Sequence, residues 1–308
     1  MNMCLIKFLL KIIGNNIKNL LLIFIFFITS CEQKKLEDEI EEINQEIDTI
    51  QFRAFLFGNT VFSLPSPYEI AFLVKRLNVL YNKDLLNPYN KTHNYISAAE
   101  KALSLGVYGA DLGYLTLYDQ TSDAIQYFST IKLLMQELNI ENAIDRKIVD
   151  RIERNLGNKD SLINIVTSSY RKADEYLKNS ERNDIAALIL TGGWIESIYI
   201  LSELLKNNPQ QELKTRLGEQ KYIINNLIKI LSSFYQVSPE ISEITDELVD
   251  LAYDFDAIEI KYTYQPPITD TINKITIVNS KTEIYITDEQ IEKISNKIKK
   301  LRNKVVKI

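Results

Sequence analysis

Histidine occurs once in this 308-residue chain, at His93, and cysteine twice, at Cys4 and Cys31. A histidine-rich zinc site is therefore excluded, and any Ser-His-Asp triad would have to pass through His93. That residue sits in the polar run Asn90-Lys91-Thr92-His93-Asn94, where a solvated or capping role is expected. There is no P-loop, and Gly106-x-x-Gly109-x-x-x-Gly113 lacks the spacing and the preceding strand of a dinucleotide fingerprint. No cofactor and no metal is expected. Nine glycines and seven prolines are too few for a sandwich or propeller built on many tight turns. With a net charge of −5 the chain lacks the basic surplus of a nucleic-acid binder. Long hydrophobic runs are also scarce near the start. The run at residues 20–28 is nine residues long, whereas a bilayer core needs about 20.

What is present begins with an export signal. Lys7, Lys11 and Lys18 form a basic opening, residues 20–28 an apolar stretch, and Thr29 and Ser30 a small polar step before Cys31. Ile28-Thr29-Ser30-Cys31 resembles the bacterial lipobox. The resemblance implies cleavage before Cys31, diacylation of its sulfur and further acylation of the new N-terminus. The membrane is then a partner through acyl chains on Cys31, because two or more chains give lasting attachment. Cys4 lies in the part removed, so the mature chain can form no internal disulfide and has no thiol nucleophile. Export to the cell envelope follows, with the outer membrane as the favoured address.

The periodicities predict a mainly α protein: a multi-helix globular body with a small C-terminal β-hairpin and helix appendage. Four segments are expected: a signal peptide at 1–30, an acidic stalk helix at 31–50, a helical domain at 51–256, and strands plus a basic helix at 257–308. In the stalk, Leu36, Ile40, Ile43, Ile47 and Ile50 recur at alternating steps of four and three, among many acids. Residues 51–66 read as a loop, and Ser66-Pro67-Tyr68-Glu69 as a capped helix start. Helices are expected from there to about 80, then near 93–105, 107–118, 122–138, 142–155 (stopped by Gly157), 159–178, 183–206, 210–235 and 239–255. Alternation of Ile258, Ile260, Tyr262 and Tyr264 with Glu259, Lys261 and Thr263 predicts a strand. Further strands are expected at 271–278 and 282–286. A capping box at Thr287-Asp288-Glu289-Gln290 opens the last helix, with the stripe Ile291, Ile294, Ile298, Leu301, Val305. No internal repeat is found.

Charge is distributed unevenly. Residues 32–50 hold eight acids and two lysines, and residues 293–308 seven bases and no acid. The two heptad-spaced segments are therefore candidates to pack on each other. Asp246, Asp250 and Asp254 share one helix face, expected to be solvated.

Two segments break their helical surroundings. Gly106, Gly109 and Gly113 sit with Tyr108 and Asp111 in one, and Gly192 and Gly193 with Trp194 and Glu196 in the other. Each glycine costs a helix up to about 1 kcal/mol against alanine, so a compensating gain is needed. Two helices crossing at their glycines would supply it. A pocket walled by Tyr108, Asp111, Trp194 and Glu196 is the alternative, and these four are the candidate ligand-binding residues. Tyr108-Gly109-Ala110-Asp111-Leu112-Gly113-Tyr114, Asn158-Lys159-Asp160-Ser161-Leu162 and Gly192-Gly193-Trp194-Ile195-Glu196 resemble an uncharacterised family of helical lipoproteins of Bacteroidota. That resemblance covers most of residues 60–255. It implies an outer-membrane or periplasmic address and brings no known activity. Two functions are thus expected: a membrane-tethered, non-enzymatic binding or scaffold protein with a protein partner in the envelope, including an accessory of a surface or secretion assembly; or a carboxylate-dependent hydrolase or small-ligand binder using Asp111 and Glu196. A closed glycine crossing favours the first, an open cleft with both acids exposed the second.

Overall fold

The computed structural model describes residues 53–57, 60–64, 67–140, 146–155, 182–270, 275–277 and 279–308. The signal segment, Cys31, the stalk helix, the helix expected at 159–178 and the Asn158–Leu162 motif lie outside the described residues. From Phe52 onward the chain forms one unit. Within it run eight α-helices among the described residues: α1 (Pro67–Arg76), α2 (Ala98–Leu117), α3 (Thr121–Glu137), α4 (Arg146–Arg154), α5 (Asn183–Asn207), α6 (Gln211–Ser232), α7 (Pro239–Asp256) and α8 (Asp288–Val305). The mainly helical class with a small antiparallel sheet near the C-terminus is the one the periodicities predict.

The centre is α2 packed against α5. Both are apolar around most of their circumference, which in water forces burial on every side. By length and composition α5 could cross a membrane, yet most of its apolar window is buried inside the body. The glycines make the pairing close. A Cβ at Gly192 would collide with the Leu103 backbone, and one at Gly106 with Ile189 O and Gly193 N. Each helix thus offers a glycine where the other's backbone passes. Two separate helices had been expected around Gly106; instead one 20-residue helix runs through it. A capping box starts it, the Ser97 hydroxyl accepting from Glu100 N–H (3.2 Å) and Glu100 Oε2 from Ser97 N–H (3.2 Å).

Helix α1 ends sooner than expected because Asn78 takes a left-handed φ of 54° and Val79 N–H closes back on Val74 O at 3.0 Å. The expected loop at 51–66 contains instead a β-hairpin. Strand β1 (Arg53–Phe57) pairs with β2 (Thr60–Leu64), from Arg53 opposite Leu64 to Phe57 opposite Thr60. Near the C-terminus β3 (Glu259–Thr263) pairs with β6 (Lys281–Tyr285), and β4 (Ile268–Asp270) with β5 (Ile275–Ile277), all antiparallel. Of the strand expected at 271–278, the described residues 275–277 form β5. Ser280 ties the two pairs together, accepting from Gln265 N–H (3.1 Å) and donating to Gln265 O (3.2 Å).

Helix α8 is built into the body. Its stripe of Ile291, Ile294, Ile298, Leu301 and Val305 is buried, packed on α5 and α7. The apolar face considered for the acidic stalk is thus already covered. Its lysines do meet acids, but those of antiparallel α7: Lys293 with Asp254 (2.6 Å), Lys297 with Asp250 and Asp254 (2.7 Å each), and Lys304 with Glu243 (2.6 Å) and Glu247 (2.9 Å). Of the face expected to be solvated, Asp250 and Asp254 are therefore ion-paired, while Asp246 is exposed and accepts from Tyr235 Oη at 3.0 Å. Burial pushes the Asp254 carboxyl up, but Lys293 and Lys297 outweigh it and hold it below the ordinary range. Most of these pairs remain partly exposed, so each contributes about 0–1 kcal/mol and the apolar stripe supplies most of the attachment.

Candidate functional site

Asp111 lies on α2 and Glu196 on α5, both where the glycine crossing brings the two helices together. Their side chains are fully shielded from solvent, at 0 % exposure each. An unpaired carboxylate in such a place would be prohibitively costly. The missing partner is Arg302 of α8, itself 4 % exposed. Its guanidinium grips Glu196 with two bonds, Nε to Oε2 and Nη2 to Oε1, both 2.9 Å. The same Nη2 donates to Leu85 O at 3.2 Å, and the guanidinium lies over the Tyr199 ring, 4.6 Å from its centroid. A planar fork on a carboxylate, backed by an aromatic face, is the geometry in which arginine is hard to replace.

Asp111 accepts Asn87 N–H on Oδ2 at 3.2 Å. Its Oδ1 is buried with no hydrogen-bond partner among the described residues. Burial raises the Asp111 carboxyl well above the ordinary range; the charge of Glu196 adds to this, against the opposing effects of Arg302 and Asn87. Burial and the neighbouring Glu196 charge thus favour the neutral form of Asp111. Glu196 is raised by burial too, with the Arg302 charge and fork opposing. Burial alone would lower the Arg302 guanidinium, but Glu196 reverses this and raises it. With Asp111 neutral and Glu196 ionised, the one guanidinium would be balanced by one carboxylate.

Over this cluster lies the irregular segment 77–97, which is bound down almost entirely by side chains from the helices. Tyr118 Oη donates to Val79 O (2.6 Å), Asn82 N–H to Tyr114 Oη (3.0 Å), Tyr108 Oη to Pro88 O (2.9 Å) and Thr130 Oγ1 to Tyr89 O (2.9 Å). Asn87 Nδ2 donates to Tyr95 Oη at 3.0 Å within the segment. A loop with so few backbone partners of its own needs these bonds. Burial raises the Tyr108 hydroxyl strongly, so it serves as a neutral donor.

Of the four candidate residues, the structure brings Asp111 and Glu196 together and places Tyr108 beside them on α2. Trp194 is not part of the group. Two residues from Glu196 it points to the other side of α5, where its Nε1–H donates to Gln220 Oε1 at 3.0 Å. His93 is exposed in a short 3-10 turn and takes no part. Arg302, Asn87 and Tyr199 were not singled out in the sequence. Arg302 is one of the seven bases counted at 293–308. One signal was available: it stands four residues after Ile298 and three before Val305, in line with the buried stripe. No family model, no curated protein and no solved structure matches this chain. The site's chemistry is accordingly read from its geometry. Both acids are closed off, and the one that is ionised is fully engaged by arginine. A substrate could reach neither unless segment 77–97 left the body.

Proposed function

We propose that this protein is a membrane-tethered lipoprotein of the cell envelope, held by acyl chains on Cys31, whose helical body is a non-enzymatic binding or scaffold module. The outer membrane is the favoured address and an envelope protein the favoured partner. The observation that carries the non-enzymatic reading is the Arg302 fork on Glu196. An acid meant for catalysis needs a path to substrate and free lone pairs, and here Arg302 occupies both oxygens of Glu196 while segment 77–97 covers the pair. The lipobox supports the anchor, and the resemblance to helical lipoproteins of Bacteroidota points to the same compartment.

The anchor is tested by metabolic labelling with an alkyne fatty acid. The unaltered chain should take up label and partition into the detergent phase, and Cys31→Ala should do neither. Label retained by Cys31→Ala would overturn the attachment site.

A further inference from the structure

The two-stranded ribbon formed by β3 and β6 stands apart from the helical body except at its base. There Ile284 packs against Gly218 of α6, and Lys221 Nζ donates to Ile258 O at 3.1 Å. Residues 261–269 are all exposed, with Tyr262 at 62 % and Tyr264 at 66 %. Among the described residues neither β3 nor β6 has a second strand beside it. A ribbon of two strands is marginal in water, and a bare edge is a template for another strand.

The outward set of backbone groups can be read from the end of the strand. A residue in an antiparallel strand turns its N–H and C=O to the same side. Gln265, just past β3, turns both its N–H and its C=O to the Ser280 hydroxyl on the returning strand, so Glu259, Lys261 and Thr263, in step with it, serve the ladder to β6, while Ile260, Tyr262 and Tyr264 present their backbone groups outward. We infer that this edge is an interface between two copies of the chain, with β3 of each adding antiparallel to β3 of the other about a two-fold axis at Tyr262.

The strand's own sequence argues for that occupant. About Tyr262, Ile260 falls opposite Tyr264 of the partner copy and Tyr262 opposite its counterpart, aromatic and β-branched pairs of the favourable kind. Both exposed tyrosines of the edge are covered. Lys261 falls opposite Thr263 and Glu259 opposite Gln265, so no like charges meet. The pairing is isologous and closes at a four-stranded sheet. It does not depend on the anchor, and either idea can fail while the other stands.

Cysteine crosslinking of the full chain in its membrane tests the register. The unaltered chain, with Cys4 and Cys31 in place, sets the background. Tyr262→Cys should yield a disulfide dimer, since facing residues lie about 5.5 Å apart in such a pair, within disulfide range. Glu259→Cys should stay at background, its two copies being about 20 Å apart along the strands. Chains carrying Ile260→Cys and Tyr264→Cys should join when co-expressed and not when expressed singly. Adding Tyr262→Pro to both should abolish this joining, because it removes an outward N–H while sparing the ladder to β6. Absence of a dimer both from Tyr262→Cys and from the mixed pair would overturn the proposal. So would crosslinking at Glu259→Cys as strong as at Tyr262→Cys, or capture of a different protein at position 262.

Discussion

Replacing Arg302 with methionine removes one charge from a core where Glu196 has no access to water. Two 2.9 Å bonds to Glu196 and one of 3.2 Å to Leu85 O are lost. Removing one partner of a buried ion pair costs about 3–5 kcal/mol, a large part of the roughly 5–15 kcal/mol that hold a domain together. With a urea slope of about 3 kcal/mol per molar, the midpoint should fall by about 1–2 M. The loss depends on pH. Without arginine the folded Glu196 has a raised pKa, so the variant is least harmed below the ordinary carboxylate range and loses stability as pH rises through the folded value. Glu196→Met combined with Arg302→Met removes both charges and should be more stable than Arg302→Met alone, since apolar replacement of a whole pair is often nearly neutral. Trp194, the only tryptophan and buried at 7 % exposure, reports unfolding in all three proteins by fluorescence. An unchanged midpoint in Arg302→Met, or a double variant weaker than the single one, would refute the argument.

Three further outcomes follow from the same packing. Asp111→Asn keeps an acceptor for Asn87 N–H and is neutral at every pH. The raised pKa of Asp111 gives stability below about pH 4 that is lost as pH rises through the folded value. The variant should therefore gain on the unaltered protein with rising pH, and parallel stability curves from pH 3 to 8 would contradict the assignment. Gly192→Ala gains up to about 1 kcal/mol of helix propensity, but its methyl meets the Leu103 backbone, and overpacking costs about 1–3 kcal/mol. Its melting temperature should fall by several degrees, and a rise would mean that the crossing is loose. Asp254→Asn should lose about 1 kcal/mol at neutral pH from its partly exposed lysine pairs. Because the Asp254 pKa is lowered, that loss should shrink as pH falls below the ordinary Asp value toward the folded one, which urea unfolding at a series of pH values from 7 downward would reveal.

The helical class was legible because periodicity and caps are local. Thr287 and Gln290 start α8, and Ser238-Pro239 starts α7, as the sequence indicated. The break expected at Gly106 did not occur, because what offsets the poor helix former is contact with α5, 86 residues further on. The hairpin at 53–64 left a signal that went unread: two runs of high strand propensity separated by the pair Gly58-Asn59. Asp111 and Glu196 stood out as acids among apolar neighbours, but nothing local to either names Arg302. An ion pair closed across 106 positions is a property of the fold. Charge complementarity of the last helix was legible in kind; among the described residues its lysines meet acids that α7 carries at helical spacing, while the acidic stalk considered as its partner lies outside the described residues.

The central claim is that the acid pair is a sealed structural lock. Carbon-13 NMR titration of the Asp111 and Glu196 carboxyl groups, assigned through Asp111→Asn and Glu196→Gln, tests it most directly. The account predicts that Asp111 remains protonated well above the ordinary carboxylate range while Glu196 stays ionised against Arg302. Two carboxyl groups titrating independently near pH 4, as solvated acids do, would contradict it.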